Sequence, residues 1–284
     1  MTAAIIDGVA IARDLLAGLK PRVAALAAAG VRPGLAVILA GDNPASEVYV
    51  RAKTRACADV GVHSVEHRFN AGCSAREVIG LIEKLNADAA ISGILVQLPL
   101  PSQIDTELVL QSVDPRKDVD GFNWNNLGAM VAGHPRFMPC TPLGVMAMLD
   151  HEKIDVQGCN AVVIGRSVSV GKSMAMMLIE RGATVTVCHS KTRELGEFTS
   201  RADLVVVAAG RPGLINGSML KTGAVVIDVG INRLADGKLV GDVDFASASR
   251  VASRITPGPG GVGRMTVAML IANTVASAER SSVK

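Results

Sequence analysis

Apolar positions along the chain fall into two series of short, nearly unbroken runs separated by stretches with helical spacing. In the first series a helical pattern reaches to about Ala29, "GLAVILAG" (34 to 41) follows as a buried run, and a helix begins at Pro44. "HSVEHRF", a helix ending near Asn86, and "ISGILVQLPLP", a buried run closed by prolines, complete it. A second series starts at "NAVVIG" (160 to 165) and continues through "ATVTVCHS" (183 to 190), "ADLVVVAAG" (202 to 210) and "GAVVIDVG" (223 to 230). Strand runs alternating with helical stretches predict parallel sheets with helical crossovers, so the fold class is α/β with two domains. Between the series lies "SVDPRKDVDGFNWNNLG", rich in Asp, Asn, Pro and Gly. The expected division is 1–120 and 121–284, with the last helix returning to the first domain.

Composition narrows the class. The chain is 49% hydrophobic but only 2% aromatic, a balance that suits parallel strands under helices and lacks the stacking surface of a nucleic-acid binder. A net charge of +3 from scattered Lys and Arg gives no reason to expect nucleic acid or a membrane as partner. No basic segment precedes the apolar residues of "MTAAIIDGVAIARDLLAGL", which Asp7, Arg13 and Asp14 interrupt, and no other stretch is long and uncharged enough to span a bilayer. The five cysteines show neither C-x-x-C nor zinc-finger spacing, and reduced thiols in a cytoplasm are the simple expectation.

"VVIGRSVSVGKSMAMMLIERG" (162 to 182) raises the question of a phosphate-binding P-loop. That loop needs four residues between its first glycine and Gly-Lys-Ser, and here five separate Gly165 from Gly171. Asp228, ending the run "VVIDVG", is a second decoy. The dinucleotide fingerprint is not matched either, but its physical needs are: a strand, a glycine turn, small residues and a helix N-terminus to receive a pyrophosphate. Gly165, Ser167 and Gly171 meet those needs with a longer loop, while an ordinary βα turn would use the same glycines without a ligand. The next strand ends "CHSKT" and offers no carboxylate for a ribose 2′-hydroxyl; with Arg166, Ser190 and Lys191 nearby, the site suits a 2′-phosphate and hence NADP.

"GDNPASEVYVRAKTRACADVG" carries an N-cap candidate in Asn43, Pro44 at the first helical position and Gly61 as terminator. Tyr49, the single tyrosine, and Lys53 are four residues apart and share a face. On a solvated helix the pair would mean nothing. Facing the carboxyl end of "GILVQLPLP", it would bring Lys53 to Gln97, where a desolvated lysine beside an amide donor would trade protons near neutrality. No metal site or nucleophilic triad competes. "KDVDGF" (117 to 122) fails as a calcium loop because Arg116 and Leu127 stand where ligands are needed, which leaves a turn. "TPGPGGVGR" (256 to 264) is either a plain loop or backbone closing around a ligand.

These stretches, together with "LNADAAISGILVQLPLP", "DPRKDVDGF", "PCTPLGVM", "DVGIN" and "GDVDF", resemble the bifunctional methylenetetrahydrofolate dehydrogenase/cyclohydrolase family of the bacterial FolD type, in family order over nearly the whole chain. The resemblance implies a tetrahydrofolate-binding catalytic domain and a Rossmann-like NADP-binding domain with a cleft between them, in a cytoplasmic homodimer. It implies NADP-dependent oxidation of 5,10-methylene-tetrahydrofolate, then hydrolysis of the 5,10-methenyl product to 10-formyl-tetrahydrofolate. By resemblance the catalytic lysine falls on Lys53, the folate-stacking tyrosine on Tyr49, the glutamine touching the lysine on Gln97 and the pterin-holding aspartate on Asp120. Ser46, Pro259 and Gly260 join the substrate side; Gly165, Arg166, Ser167, Ser190 and Ile231 fall on the cofactor side. No metal is implied.

The chain also departs from the pattern, which usually has Ile and Pro where Ser169 and Ser173 stand, His and Pro where Asn123 and Trp124 stand, and Pro at Arg264. The two serines are expected to alter NADP affinity rather than abolish binding. Two rivals remain open on sequence: a P-loop nucleotide hydrolase dependent on Lys172, and a folate- or NADP-binding protein without turnover, against which the intact Tyr49, Lys53, Gln97 and Asp120 set speaks.

Overall fold

The structure, a computed structural model, describes residues 2–282. In chain order its elements run β1 (Ala4–Ile5), α1 (Gly8–Ala28), β2 (Gly34–Ala40), α2 (Pro44–Val60), β3 (His63–Phe69), α3 (Ala75–Ala87), β4 (Gly93–Gln97), α4 (Thr106–Gln111) and α5 (Trp124–Val131). They continue with α6 (Cys140–His151), β5 (Asn160–Ile164), α7 (Ser173–Glu180), β6 (Thr184–Cys188), α8 (Leu195–Thr199), β7 (Leu204–Val207) and β8 (Val225–Asp228). A short ladder of β9 (Asn232–Arg233) and β10 (Leu239–Val240), then α9 (Phe245–Ala248), β11 (Arg254–Ile255) and α10 (Val262–Ser282), complete the chain. No helix among the described residues is long and apolar enough to cross a membrane.

The chain divides into two compact units: Arg13–Cys140 with the residues from Val267 onward, and Thr141–Thr266 with the residues through Ala12. The junction follows Cys140 rather than Asp120. Local bonding accounts for the difference, because Asn123 Nδ2 donates to Val113 O (3.0 Å) and Asn126 Nδ2 to Asp118 Oδ2 (2.8 Å), which ties α5 to the segment before it. The first residues go the other way because β1 pairs with β11.

The unit containing α2 is built on a three-stranded parallel sheet of order β3-β2-β4. All seven residues of β2 are buried, as its unbroken apolar run requires of a central strand covered on both faces. β3 at the edge alternates in exposure. α3 starts in a capping box, Ser74 accepting from Glu77 N while the Glu77 carboxylate accepts from Ser74 N, and lays Val78, Ile82 and Leu85 on the sheet. The end of α10 belongs to this unit: Asn273 Nδ2 donates to Val119 O (2.8 Å), Ser277 Oγ to Ser92 O (2.6 Å), and Glu279 accepts from Arg22 through both oxygens (2.9 and 2.6 Å).

The other unit holds a six-stranded parallel sheet of order β1-β11-β8-β7-β5-β6. After β5 the chain adds β6 on one side, then returns to add β7 on the other. That reversal makes the carboxyl ends of β5, β6 and β7 the natural ligand position in an open α/β sheet. Val162, Ile164, Val205, Val207, Val226 and Ile255 form the middle of its core.

Candidate active site

In the α2 unit, Pro44 opens the helix and Gly61, at φ +87°, closes it. A glycine is needed there because a side chain is strained at positive φ. The helix delivers Ser46, Tyr49 and Lys53 to the end of β4, where Gln97 is the last strand residue. Ser46, Lys53 and Gln97 are buried, whereas the Tyr49 ring is 37% exposed.

Lys53 Nζ donates to Gln97 Oε1 at 2.9 Å. This reverses the expected role of Gln97 as a donor toward the lysine. Its NH2 is already committed to Leu98 O at 2.6 Å, so only the carbonyl oxygen is left to face Nζ. The Ser46 hydroxyl donates to the same Leu98 O at 3.5 Å. Burial pushes the Lys53 pKa down from its ordinary value, and the nearby Asp120 and Cys140 oppose the shift. Tyr49 is pushed up by burial.

Asp120 sits on the turn that the sequence offered as the alternative to a calcium loop. Asp118, buried beneath it, accepts from Gly121 N (3.1 Å), Asn123 N (2.7 Å) and Asn126 Nδ2 (2.8 Å). Gly121 at φ +76° turns the chain where a Cβ would press on Met138 C at 2.6 Å. Asp120 is therefore presented by a rigid turn. Burial raises its pKa and the Lys53 charge opposes the rise.

Cys140 joins this cluster, a place that the expectation of reduced thiols did not foresee. Its Sγ donates to Val119 O at 3.3 Å, and burial followed by the Asp120 charge raises its pKa well above the ordinary thiol value. Its only advance signal was its place in the quoted "PCTPLGVM". Asp118 was likewise missed as the residue that holds the turn.

In the other unit the glycine loop follows β5. Gly165 adopts φ +136°, and a Cβ on Gly171 would overlap Gly165 O, so both positions demand glycine. The extra residue relative to a P-loop is absorbed in a π turn over Val168–Lys172, with Lys172 N donating to Ser167 O at 2.9 Å. Ser167 caps the turn by accepting from Val170 N (3.2 Å), and Ser173, one of the departures, is buried and donates to Val168 O (2.6 Å).

A cavity of ≈ 440 Å³ opens at the carboxyl ends of β5, β6 and β7. Its walls include Gly165 and Arg166 after β5, His189, Ser190 and Thr192 after β6, and Ala208, Ala209 and Arg211 after β7. The lining contains two arginines, a histidine and two hydroxyl groups but no carboxylate, which fits a dinucleotide carrying a 2′-phosphate. Lys172 is exposed and does not line this cavity, contrary to what a P-loop lysine must do. Arg211 was not foreseen because the loop after β7 meets the others only in the folded sheet, and His189 was passed over although it adjoins Ser190 in "CHSKT". Ile231 is 46% exposed on the turn after β8, and Pro259 and Gly260 follow β11 in this same unit. Of the other departures, Ser169 lies within the π turn, Asn123 caps α5 and bonds through its backbone N–H to Asp118 beneath the Asp120 turn, Trp124 is 61% exposed, and Arg264 is exposed on α10.

Two family models match in tandem: the tetrahydrofolate dehydrogenase/cyclohydrolase catalytic domain over residues 6–120, and the NAD(P)-binding domain of the same family over residues 139–282. The bifunctional protein FolD of Bordetella avium is 57% identical over 281 residues, covering 99% of each chain. The FolD crystal structure from Campylobacter jejuni superposes with a TM-score of 0.97 at 48% identity, covering 98% of this chain and 99% of that one. The Trypanosoma brucei FolD structure, complexed with NADP cofactor and inhibitor, gives a TM-score of 0.97 at 38% identity with 100% of both chains covered. Both halves being matched in order, with relatives aligned from end to end, the chain belongs to the tetrahydrofolate dehydrogenase/cyclohydrolase family.

Proposed function

We propose that the protein oxidises 5,10-methylene-tetrahydrofolate with NADP and hydrolyses the resulting 5,10-methenyl-tetrahydrofolate to 10-formyl-tetrahydrofolate. The observation that carries the second step is the buried Lys53, desolvated and bonded to Gln97 Oε1. A lysine in that setting exchanges a proton more readily than one in water, as a general acid–base catalyst must.

Tyr49 offers a partly exposed aromatic face to a planar pterin, and the Asp120 carboxylate offers acceptors to its N–H edge. The bound NADP supplies the hydride acceptor for the methylene carbon. Holding the two reactants in contact is the protein's main contribution to that step. In ring opening, neutral Lys53 takes a proton from the water that adds to the methenyl carbon. As the carbon–N5 bond breaks, Lys53 returns that proton to N5 and the adduct hydroxyl loses its own to solvent, so one proton is released overall. A neutral lysine also avoids repelling the cationic methenyl group, which a charged one would do.

Gly165 and Ser167 shape the loop for a pyrophosphate, while Arg166 and Ser190 are assigned to the 2′-phosphate and Ile231 to the nicotinamide side. Pro259 and Gly260 are assigned to folate. We assign folate binding to the domain matched over residues 6–120 and nucleotide binding to the domain matched over residues 139–282. We place the protein in the cytoplasm, for which the five free cysteines speak, and expect a homodimer of twice 29.4 kDa by light scattering.

Supplying methylenetetrahydrofolate with NADP or NAD in parallel, and following reduced cofactor and methenyl separately, tests the whole reading. NADP reduction with little methenyl build-up is expected. Reduced cofactor with persistent methenyl would remove the role given to Lys53, and nucleotide hydrolysis without NADP reduction would overturn the proposal.

A further inference from the structure

The "GDVDF" segment has been given no role above, yet it contains a carboxylate with no exposed surface, that of Asp242. Its Oδ2 accepts from the backbone N–H of Ala209 (2.6 Å) and Gly210 (2.8 Å), and its Oδ1 from Arg211 N (2.8 Å) and Asn232 Nδ2 (2.7 Å). Four donors thus converge on one carboxylate. Three of them belong to consecutive residues after β7, of which Ala209 and Arg211 line the nucleotide cavity. The fourth belongs to Asn232, which opens β9 next to Ile231 in the turn after β8.

Asp242 is itself held from below. Asp228 Oδ1 accepts from Asp242 N (3.0 Å) and Gly230 N (2.9 Å), and its Oδ2 from Val243 N (2.9 Å). A Cβ on Gly241 would overlap the Asp228 carboxylate, and one on Gly230 would overlap that of Asp242, so the backbone is packed directly on both acids. On the far side of the 208–211 segment, a Cβ on Gly165 would overlap Ala208 O, and Ala208 N donates to Ile164 O (2.7 Å). The glycine loop therefore leans on the wall that Asp242 fixes.

We infer that Asp242 is a positioning residue of the nucleotide site: its carboxylate holds the 208–211 wall and, through Asn232, the Ile231 turn in the shape that NADP binds. The inference rests on the cofactor reading given above. Packing alone does not require a charge at this position. An amide of the same shape keeps one acceptor oxygen and turns an NH2 toward backbone donors, so it cannot accept from Ala209, Gly210 and Arg211 together, even if the Asn232 amide turns over to meet it. Asp242→Asn accordingly frees one part of the wall while changing almost no volume.

The test compares wild type, Asp242→Asn and Asn232→Ala in two assays: steady-state NADP reduction with methylenetetrahydrofolate, and hydrolysis of methenyltetrahydrofolate supplied directly without cofactor. Asp242→Asn should raise the KM for NADP about ten-fold or more, the loss expected for charge-assisted hydrogen bonds. Direct hydrolysis should stay within about two-fold of wild type, since no step of it uses the nucleotide. Asn232→Ala keeps the three backbone bonds and should raise the KM about three-fold, again sparing hydrolysis. An unchanged KM for NADP in both variants overturns the inference, as does a parallel fall of both activities, the mark of a merely structural residue. Should Asp242→Asn fail to fold, Asn232→Ala decides alone by the same criterion. Wild type that hydrolyses methenyl but never reduces NADP fails the cofactor reading itself, and the inference falls with it.

Discussion

In the proposed mechanism Lys53 bears the heaviest chemical demand, and the sharpest expectations attach to it. Lys53→Met should cut methenyl hydrolysis by about 10²–10⁴-fold, the usual worth of a general acid–base group, with NADP affinity by calorimetry unchanged. Its lowered pKa has a second consequence. A folded-state value below that of the unfolded chain means that folding expels a proton in the window beneath 10.5. Stability should therefore rise with pH as that window is crossed, and Lys53→Met should lose this part of the slope in urea titrations made at successive alkaline pH values. On the nucleotide side, Arg166→Ala should weaken NADP far more than NAD, because only NADP has a 2′-phosphate for the guanidinium to meet; equal losses in parallel binding titrations would remove the assignment. Tyr49 and Lys53 were legible because four-residue spacing places both on one helical face whatever surrounds them. Cys140 and the direction of the Gln97 amide were not: the thiol depends on Asp120, which only the fold brings to it, and the amide on the course of the chain just after β4, which sets where the adjacent Leu98 O points.

At the scale of elements, the glycine loop is the least forgiving segment. Gly171→Ala puts a methyl group into Gly165 O, so the π turn must open and NADP binding should be lost, while methenyl hydrolysis supplied without cofactor continues. Ser74→Ala, by contrast, removes only a helix cap and should cost about 1 kcal/mol in chemical denaturation. The strands most plainly written in the sequence are the largely buried ones, since β2, β4, β5, β7 and β8 are apolar runs with little alternation; the partly exposed edge strands β3 and β6 were legible too. The two-residue strands β1, β9, β10 and β11 had no such signal. β1 and β11 exist because a distant partner completes the ladder, as Arg254 does for Ala4, whereas β9 and β10 pair only with each other across a short turn. The π turn also escaped notice, although the five-residue gap that argued against a P-loop is the length it accommodates.

On the scale of the whole chain, the units are not continuous in sequence. Ending the chain at Thr266 would remove the buried Ala268, Leu270, Ile271 and Val275 together with the bonds of Asn273 and Ser277. Each large buried side chain is worth about 2 kcal/mol against a total stability of about 5–15 kcal/mol, so the Arg13–Cys140 segment should lose its fold. Rapid proteolysis within that segment and absent methenyl hydrolysis would be the signs; native-like resistance would contradict the division. The exposure of Trp124 and Tyr49, finally, bears on how this molecule can be watched. The chain has one tryptophan, on the open side of α5, and one tyrosine, at the proposed folate site. Tryptophan and tyrosine fluorescence therefore has no reporter in either hydrophobic core. Its tryptophan emission should already be that of a water-exposed indole before denaturant is added, and a flat fluorescence trace during melting would be no sign of a protein that resists unfolding.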